Sequence, residues 1–335
     1  MTQEPMKKLN HRSRWNLGRT LTVIPLLIFG TLLCVLYGPS LRMAYAEENT
    51  DKPAMRIQIS PVQNRVSLNA GETSEYVFNV DNTGTDAYSF KVYANPYSVT
   101  NDQYSPSFSA QNSHTQVSRW IAFKNNTSEY TNEATYSVEP GQRKEVTYRI
   151  TVPEDIPGGG QYAIIFVEAI PKDDGDSGGI RTISRLGLRI FGRTNGETKE
   201  SAEIVSHNMD SFYMSGKIKA TGSVKNSGNT DFNAIFKFKV EKIFGGVVFE
   251  DSKGYDVLPE TNRDIELAWE DTPAFGIYRI TSTLIALDQS RSTTKIVLII
   301  PIFMIIILLM LLTITIAWFI ILYRKRQAQK SKLIV

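Results

Sequence analysis

The sequence is poor in the side chains that most often build metal and redox sites. It contains one cysteine, Cys34, and three histidines. Cys34 lies in an apolar stretch near the N-terminus, so the rest of the chain can form no intramolecular disulfide and no thiolate metal site. The two later histidines, His114 and His207, lack metal-ligand spacing. We therefore expect no metal, no cofactor and a fold that is stabilised by burial alone.

Basic residues are also scarce in the central part of the chain. Residues 1–46 carry six Lys or Arg and one Glu, and residues 324–335 carry five Lys or Arg and no acid. The segment between them carries 26 basic and 33 acidic residues, so it is mildly acidic although the whole chain is formally +3. Nucleic-acid binding requires a basic surface that replaces counterions. The charge distribution therefore argues against nucleic acid as a partner.

No charged residue occurs between Ile296 and Tyr323, and Arg324-Lys325-Arg326 follows immediately. An uncharged apolar run of more than about 18 residues is long enough to cross the hydrocarbon core of a bilayer as a helix. A cluster of Lys and Arg beside such a run favours the cytoplasmic side. The alternative, a buried core helix, would show a polar face that this run lacks. We predict a transmembrane helix at 296–323 and a basic cytoplasmic tail at 324–335.

The N-terminus has the pattern of a secretory signal peptide. A basic lead precedes the uncharged stretch Leu21–Leu36, and Ala44-Tyr45-Ala46 has the small-x-small pattern of a cleavage site. Cleavage there makes residues 1–46 a signal peptide and 47–56 a short exposed lead. The alternative is an uncleaved signal anchor, because the uncharged region after Arg19 is 22 residues long. Both interpretations export the middle of the chain, and the absence of cysteine from that region favours a bacterial protein.

Amphipathic helices of 12 or more residues are not evident between 47 and 295. Short β-rich runs at Tyr76–Val80 and Ser89–Tyr93 flank an Asn-Thr-Gly turn, and Val146–Val152 alternates with period two. Tyr162–Ala169 is almost continuously apolar, as expected for a central strand that is buried on both faces. Gly, Pro and Asn separate these runs. The pattern predicts an all-β fold of sandwiches.

Three short motifs, Asn-x-Gly, Val-x-Pro and Gly-x-Tyr, recur in the same order and indicate two copies of one unit. The copies are Asn82-Thr83-Gly84, Val138-Glu139-Pro140 and Gly160-Gln161-Tyr162, then Asn226-Ser227-Gly228, Val257-Leu258-Pro259 and Gly276-Ile277-Tyr278. The shared order predicts two tandem immunoglobulin-like β-sandwiches. We expect the tyrosine of each Gly-x-Tyr motif to hydrogen-bond to a nearby backbone group, as in a tyrosine corner.

A polar, glycine-rich stretch at Pro171–Gly179 interrupts the strand pattern. It fits a linker or the tip of a long hairpin, and its three Asp lack the spacing of a calcium loop. Because Ile183–Phe191 has the pattern of a further strand, we place the domain boundary near Asn195-Gly196. The predicted domains are therefore residues 57–195 and residues 196–295.

The two copies differ most in the connection between the second strand and the Val-x-Pro turn. It takes about 45 residues in the first copy (93–137) and about 16 in the second (241–256). Long connections are usually functional or disordered, and aromatic faces beside Asn and Ser suit carbohydrate. Trp120 also fits a core position, because its neighbours are apolar. The candidate ligand-binding residues are Tyr97, Tyr104, Trp120 and Tyr130.

Several segments of the first domain fit one family pattern. Val152–Tyr162 is the most specific of them and resembles the segment VPxxxPGGxYaxI. The others are Ile59–Val62, Asn69–Glu72, Val80–Gly84, Pro96-Tyr97, Trp120-Ile121 and Pro140-Gly141. Together they resemble the WxL-interacting proteins of Gram-positive bacteria, well over 57–170 and more loosely in the second domain.

The resemblance to WxL-interacting proteins implies a complete architecture. It implies a signal peptide, a peptidoglycan-binding domain, a second immunoglobulin-like domain with a host-binding role, a transmembrane helix and a short basic tail. The partners that it implies are peptidoglycan, WxL-type surface proteins and host proteins. No family motif transfers ligand residues to this chain.

The sequence leaves several functional hypotheses open. In the first, the connection 93–137 points outward and holds cell-wall glycan or peptide, while the second sandwich sits almost on the membrane. In the second, an exposed strand edge captures a protein partner by β-augmentation. A stalk without a specific ligand is the third. We do not expect an enzyme, because two small sandwiches leave little room for a deep cleft, although a glycosidase that uses two carboxylates would leave no motif.

Overall fold

The computed structural model describes residues 56–170, 184–214 and 216–332. The predicted signal peptide (1–46), almost all of the short lead and the stretch Pro171–Gly179 lie outside the described residues. Strands dominate the described part, which also contains a 3₁₀ helix, Gln116–Arg119, and an α-helix, α1 (Ile302–Lys332). The predicted all-β fold with one apolar C-terminal helix is confirmed.

The first sandwich is built from twelve of the described strands. They are β1 (Ile57–Ser60), β2 (Gln63–Leu68), β3 (Thr73–Asn82), β4 (Tyr88–Pro96), β5 (Ser98–Val99), β6 (Pro106–Ser107), β7 (Ile121–Lys124), β8 (Tyr130–Thr131), β9 (Glu133–Val138), β10 (Arg143–Thr151), β11 (Gly160–Ile170) and β12 (Arg185–Thr194). One sheet has the order β1-β3-β10-β7-β8 and the other β2-β12-β11-β4-β9, while β5 and β6 pair separately.

The core of the first sandwich lies between these two five-stranded sheets. Strand β9 alternates exposed and buried residues along its whole length, as a strand with one solvent face does. Strand β11 instead lies between β12 and β4, and its residues from Gly160 to Val167 are all buried. The predicted central strand at Tyr162–Ala169 is therefore confirmed.

The second sandwich contains the remaining eight described strands. They are β13 (Ala202–Met209), β14 (Phe212–Tyr213), β15 (Ile218–Asn226), β16 (Phe232–Lys242), β17 (Val247–Val257), β18 (Asn262–Trp269), β19 (Gly276–Ala286) and β20 (Gln289–Ile299). A three-stranded sheet, β13-β15-β18, faces a five-stranded sheet, β14-β20-β19-β16-β17. Its core includes Phe236, Phe238, Val240 and Leu284, each with no exposed surface.

The Asn-x-Gly repeat has the same hydrogen bonding in both sandwiches. The buried Asn82 side chain donates to the carbonyls of Asp86 (2.8 Å) and Val138 (3.3 Å). The buried Asn226 side chain donates to the carbonyls of Thr230 (2.8 Å) and Val257 (3.0 Å). In each copy the Asn carboxamide oxygen also accepts from the backbone N–H two residues later, at 3.0 and 2.8 Å. Each Asn thus fixes its own turn and ties it to the Val-x-Pro segment.

The predicted start of the membrane helix at Ile296 is wrong. Residues Ile296–Ile299 belong to β20, where they pair with Gly276–Arg279 of β19. Pro301 follows and α1 begins at Ile302, because proline suits the first turn of a helix but donates no ladder hydrogen bond. The apolar end of the strand and the apolar helix form one uncharged run, so composition alone hides the boundary. The segment of α1 long and apolar enough to cross a membrane is Ile302–Gln327.

Candidate functional site

The two sandwiches meet at a buried hydrogen-bonded pair. The hydroxyl of Tyr162 donates to a carboxylate oxygen of Asp231 (3.0 Å) and accepts from the Asp231 backbone N–H (2.8 Å). Tyr162 and Asp231 are only 1% and 4% exposed. Burial, followed by the adjacent negative charge of Asp231, raises the pKa of Tyr162 well above its ordinary value. The phenol therefore stays protonated and acts as a fixed connection between β11 and the second sandwich.

Arg65 extends this connection from strand β2. Its guanidinium group donates to Asp231 at 2.6 Å and to Asp256 at 2.7 Å. The same group lies 4.9 Å from the ring centroid of Phe191, in cation–π geometry. One arginine of the first sandwich thus contacts two carboxylates of the second.

The Pro-Gly-Gly-Gly segment provides the close backbone contact at the same junction. The Gly160 N–H donates to the carbonyl of Asn229 at 2.8 Å, and the Asn229 side chain donates to the carbonyl of Gly158 at 3.3 Å. A Cβ atom on Gly159, which has φ +116°, would lie 2.3 Å from the Asn229 carbonyl oxygen. The glycines are therefore required where the first sandwich docks on the Asn-x-Gly turn of the second.

The tyrosine-corner prediction holds for Tyr162 only in that its hydroxyl bonds to a backbone group, the Asp231 N–H, which lies in the other sandwich. Tyr162 bonds across the junction, and Tyr278 packs edge-on against Trp269 with ring centroids 5.4 Å apart. The Gly-x-Tyr motif has another cause. A Cβ atom on Gly160 would lie 1.8 Å from the Tyr162 hydroxyl oxygen, and one on Gly276 would lie 2.6 Å from the Tyr278 ring. In both copies the tyrosine ring covers the glycine of its own strand, so no larger residue fits there.

The predicted long connection 93–137 is not an extended loop, and it does not point away from the second sandwich. It contains the end of β4, the strands β5 to β8, the 3₁₀ helix and nearly all of β9. Its carbonyl at Asp102 accepts from the Asp264 N–H (2.7 Å). The prediction failed because the polar and aromatic composition of 93–137 is typical of an exposed loop, whereas the segment packs against both sandwiches.

Tyr104 is the part of this segment that reaches furthest into the second sandwich. Its hydroxyl contacts the Thr261 hydroxyl (2.6 Å) and accepts from the Leu258 N–H (2.7 Å). The Arg263 guanidinium lies 4.2 Å from its ring centroid. Burial raises its pKa. The hydroxyl of Tyr104 and one face of its ring are therefore engaged in contacts with the second sandwich.

The other three predicted ligand-binding residues lie in different places. Tyr97 packs near Tyr162 and Phe191 in the small apolar cluster of the junction. Trp120 packs against the core of the first sandwich. Tyr130 lies on the edge strand β8, with the Arg149 guanidinium 4.1 Å from its ring centroid. The structure brings Tyr97 and Tyr104 together and leaves Trp120 and Tyr130 outside that group.

Several clefts at the junction are lined by residues of both sandwiches. One, of about 510 Å³, is lined by charged side chains that include Arg65, Arg193, Asp231 and Asp256. Arg193 bonds to Glu200 (3.2 Å) and to the Asp231 carbonyl (3.2 Å), so both arginines of this cleft are engaged by the protein itself. This cleft is therefore an ionic cluster in which both arginines are paired with groups of the protein itself.

The second cleft is smaller and largely uncharged. It measures about 210 Å³, and its lining includes two tyrosines, several hydroxyls, one amide side chain, an imidazole and the carboxylate of Glu260. The His114 imidazole bonds to the Gly160 carbonyl at 2.9 Å, and the Tyr162 N–H donates to the His114 carbonyl at 2.7 Å. Such a surface can accept one small polar group such as a sugar ring. The side chains of this cleft that could contact such a group include Tyr97, Asn112, His114 and Glu260.

A third feature is the outer edge of strand β17. Among the described residues its one ladder partner is β16, and most of its residues from Val247 to Gly254 are exposed. The Ser252 N–H donates to the neighbouring Asp251 carboxylate (2.8 Å). Because strand N–H groups two residues apart point the same way, the N–H groups of Glu250 and Gly254 face outward with it.

Side chains occupy the far end of the same edge. Arg263 donates to the Asp256 carbonyl, and the Leu258 N–H bonds to Tyr104. The open part of the β17 edge is therefore limited to the region around Glu250, Ser252 and Gly254. The hypothesis of an exposed strand edge did not identify β17. Sequence reasoning missed Arg65 and Asp231, because no local motif marks a partner that lies over a hundred residues away.

Comparisons with known proteins concern the fold alone. No family model and no curated protein matches the chain. Solved structures with a similar arrangement include the class 5 fimbriae chaperone CfaA, at 13% identity and TM-score 0.36 over 72% of this chain and 99% of that one. The E. coli chaperone DraB has 14% identity and TM-score 0.34 over 72% and 95%. The Pseudomonas aeruginosa chaperone CupB2 has 12% identity and TM-score 0.33 over 70% and 97%.

Proposed function

We propose that this chain is a membrane-anchored, extracytoplasmic binding protein that takes up a protein partner along the open edge of β17. The observation that carries the proposal is the row of outward N–H groups at Glu250, Ser252 and Gly254. A partner strand placed there would continue the sheet β14-β20-β19-β16-β17 by one strand. The proposed role is binding rather than catalysis.

The proposed anchor is helix α1. Its segment Ile302–Gln327 contains an 18-residue stretch with a mean hydropathy of 3.0, none of which is buried against the rest of the protein. The basic cluster Arg324-Lys325-Arg326 lies at its C-terminal end and supports a cytoplasmic tail. The two sandwiches would then lie outside the cell, in agreement with the N-terminal secretory pattern.

The chemistry of β17 supports selective rather than indiscriminate pairing. Exposed edges usually carry charges that prevent aggregation, and here Glu250, Asp251 and Lys253 are exposed on β17. A partner strand with complementary charges would meet them, whereas an apolar strand would leave them desolvated. The edge is also bordered by the exposed Val247 and Val248, which offer apolar contact at one end.

The test is a proline at the open edge. Ser252→Pro removes an outward N–H group without removing a bond to β16, and proline is tolerated on edge strands. Ser252→Ala keeps the N–H group and is the matched control. The full chain with each substitution would be purified from membranes of a producing cell, and co-purifying proteins would be compared. We expect a partner that is recovered with Ser252→Ala and lost with Ser252→Pro; equal recovery with both variants would contradict the proposal.

A second candidate is cell-wall peptidoglycan bound in the 210 Å³ cleft. The observation that favours it is the convergence of the Tyr97 ring with the amide, hydroxyl and imidazole groups of Asn112, Thr115 and His114. A sugar can stack one face on an aromatic ring while its hydroxyls bond to such groups. The resemblance to WxL-interacting proteins supports the same ligand class.

Sedimentation with purified sacculi distinguishes this candidate. Tyr97→Ala removes the aromatic face of the cleft, whereas Tyr130→Ala removes an aromatic ring on the distant strand β8. We expect sacculus binding to fall with Tyr97→Ala and to persist with Tyr130→Ala. A chain that stays in the supernatant in all forms, or loses binding equally in both variants, would count against peptidoglycan in this cleft.

A further inference from the structure

The end of the second sandwich from which helix α1 leaves exposes several large apolar side chains. Four connections meet there: residues 210–214 with 216–217, residues 243–246, residues 270–275 and residues 300–301. The strand register places them together, because Lys242 pairs with Tyr278 and Ile299 pairs with both Gly276 and Tyr213. We call these four connections and the strand ends beside them the base of the second sandwich. Helix α1 leaves the sandwich from this base.

Large apolar side chains project into solvent from the base. Of the phenylalanines between 56 and 301 that the structure describes, the exposed ones are Phe212, Phe244 and Phe275, at 47%, 102% and 63%. All three lie at the base, on three separate connections. Exposed beside them are Met214 and Ile277, at 50% and 52%. Such a cluster on a surface end marks an interaction site.

The turn that carries Phe244 holds this side chain away from the sandwich. The Gly245 N–H donates to the Lys242 carbonyl, and the Lys242 N–H donates to the Gly246 carbonyl, both at 3.0 Å. Gly245 and Gly246 have φ +98° and +90°, and a Cβ atom on either would meet nothing within 4 Å. The hairpin therefore projects a phenylalanine from an open, glycine-built tip.

The chain between the base and α1 is too short to separate them. Strand β20 ends at Ile299 and α1 begins at Ile302. The two residues between them can span about 7 Å when fully extended, and the Ile300 N–H is held to the Tyr213 carbonyl at 3.0 Å. The first turn of the apolar helix thus starts close to the strand ends at Tyr213 and Gly276, which pair with Ile299.

The charges of the base favour an apolar contact over an ionic one. Lys217 pairs with Glu270 at 3.3 Å, and the connections also contain Asp210 and Asp271. A surface with this mixture has no excess of basic residues to attract anionic headgroups. Its affinity would come from aromatic and aliphatic side chains that enter the headgroup region.

We propose that the base of the second sandwich docks into the outer surface of the bilayer through Phe212, Phe244 and Phe275. The partner is the lipid interface itself, and the contact depends little on lipid charge. This inference rests on the proposed function in one respect, namely that α1 spans a membrane. Docking would fix the second sandwich against the bilayer and so orient the β17 edge and the junction.

The experiment uses the full chain in phosphatidylcholine nanodiscs. An environment-sensitive fluorophore is attached to single cysteines in a Cys34→Ser background. The test positions are Phe244→Cys and Phe275→Cys. Val62→Cys is the matched control, because it is an apolar residue that is 60% exposed on the first sandwich. Leu311→Cys, near the middle of α1, reports whether the helix is in the bilayer.

Quenching by lipids labelled near the headgroup gives the readout. We expect the labels at 244 and 275 to be quenched at least about twofold more than the label at 62, as for residues at the membrane interface. Replacing half of the phosphatidylcholine by phosphatidylglycerol should leave this difference unchanged. If Leu311 is buried in lipid but 244 and 275 behave like 62, the docking inference is wrong while the anchor stands. If Leu311 is also outside lipid, the anchor and the docking inference both fail.

Discussion

The hydroxyl of Tyr162 both donates to the side chain and accepts from the backbone N–H of Asp231, 69 residues away in the other sandwich. One phenol thereby satisfies two buried polar groups of a turn that belongs to a different core. Arg65 holds the second oxygen of the same carboxylate. The junction between the sandwiches therefore has a polar core whose loss can be measured directly.

Tyr162→Phe tests this polar core. The substitution keeps the ring and leaves the buried Asp231 N–H without its acceptor, so we expect a loss of about 1–3 kcal/mol in the free energy of unfolding. Tyr130→Phe, on an edge strand, should change it by less than about 0.5 kcal/mol. Denaturant unfolding of each variant beside the native chain measures both changes. Similar small effects in the two variants would mean that the Tyr162 hydroxyl does not stabilise the junction.

Gly159→Ala tests the close backbone contact. Gly159 and Gly141 both have positive φ, +116° and +70°, but a Cβ atom would meet Asn229 only at position 159. We expect Gly141→Ala to cost about 1 kcal/mol from the backbone conformation and Gly159→Ala about 3 kcal/mol, since steric overlap adds to it. Thermal unfolding of the two variants gives the comparison. Equal costs would show that the turn at Asn229 can move away.

His207 predicts a loss of stability at mildly acidic pH. Burial, assisted by the positive charge of Arg291, lowers the pKa of His207 below its ordinary value of 6.5. Its Nε2 atom bonds to the Ser282 hydroxyl at 2.8 Å. His207 therefore binds a proton more readily in the unfolded chain than in the folded one. The contribution of neutral His207 to the stability of the fold is present above pH 6.5 and is lost as pH falls below that value. Unfolding at pH 7.5 and 5.5 should show a smaller acid loss in His207→Gln than in the native chain.

Tyr148 predicts a loss of stability at alkaline pH. Burial raises the pKa of Tyr148 from 10.0 to about 12. The folded state therefore holds this proton after the unfolded chain has released it. Its contribution is full below pH 10 and is lost as pH rises towards about 12. Tyr148→Phe should unfold with a shallower alkaline decline than the native chain, and an identical decline would place the cause in other groups.

Some structural features could be predicted because a short segment of the sequence determines them. The Asn-x-Gly turns could be predicted because each motif determines a turn within a few residues, and Asn82 and Asn226 bond their own loops in the same way. The central strand β11 could be predicted because burial on both faces requires a continuous apolar run. These predictions depend on interactions that are close in the chain.

Other features depend on contacts that composition does not encode. The start of α1 was missed because Ile296–Ile299 is apolar as the end of a strand, and only its pairing with β19 distinguishes it from the helix. Tyr104 was predicted to face a ligand, yet its hydroxyl bonds to Thr261 and Leu258 in the other sandwich. Asp231 and the β17 edge had no sequence signal, since both are defined by tertiary neighbours.

Amide hydrogen exchange in a complex of this chain with a co-purified partner tests the central claim most directly. If the partner adds a strand to β17, exchange at Glu250, Ser252 and Gly254 should slow markedly on binding, while exchange at the opposite edge strand β14 stays unchanged. Exchange at these three amides that is equally fast in the free and the bound chain would contradict the account.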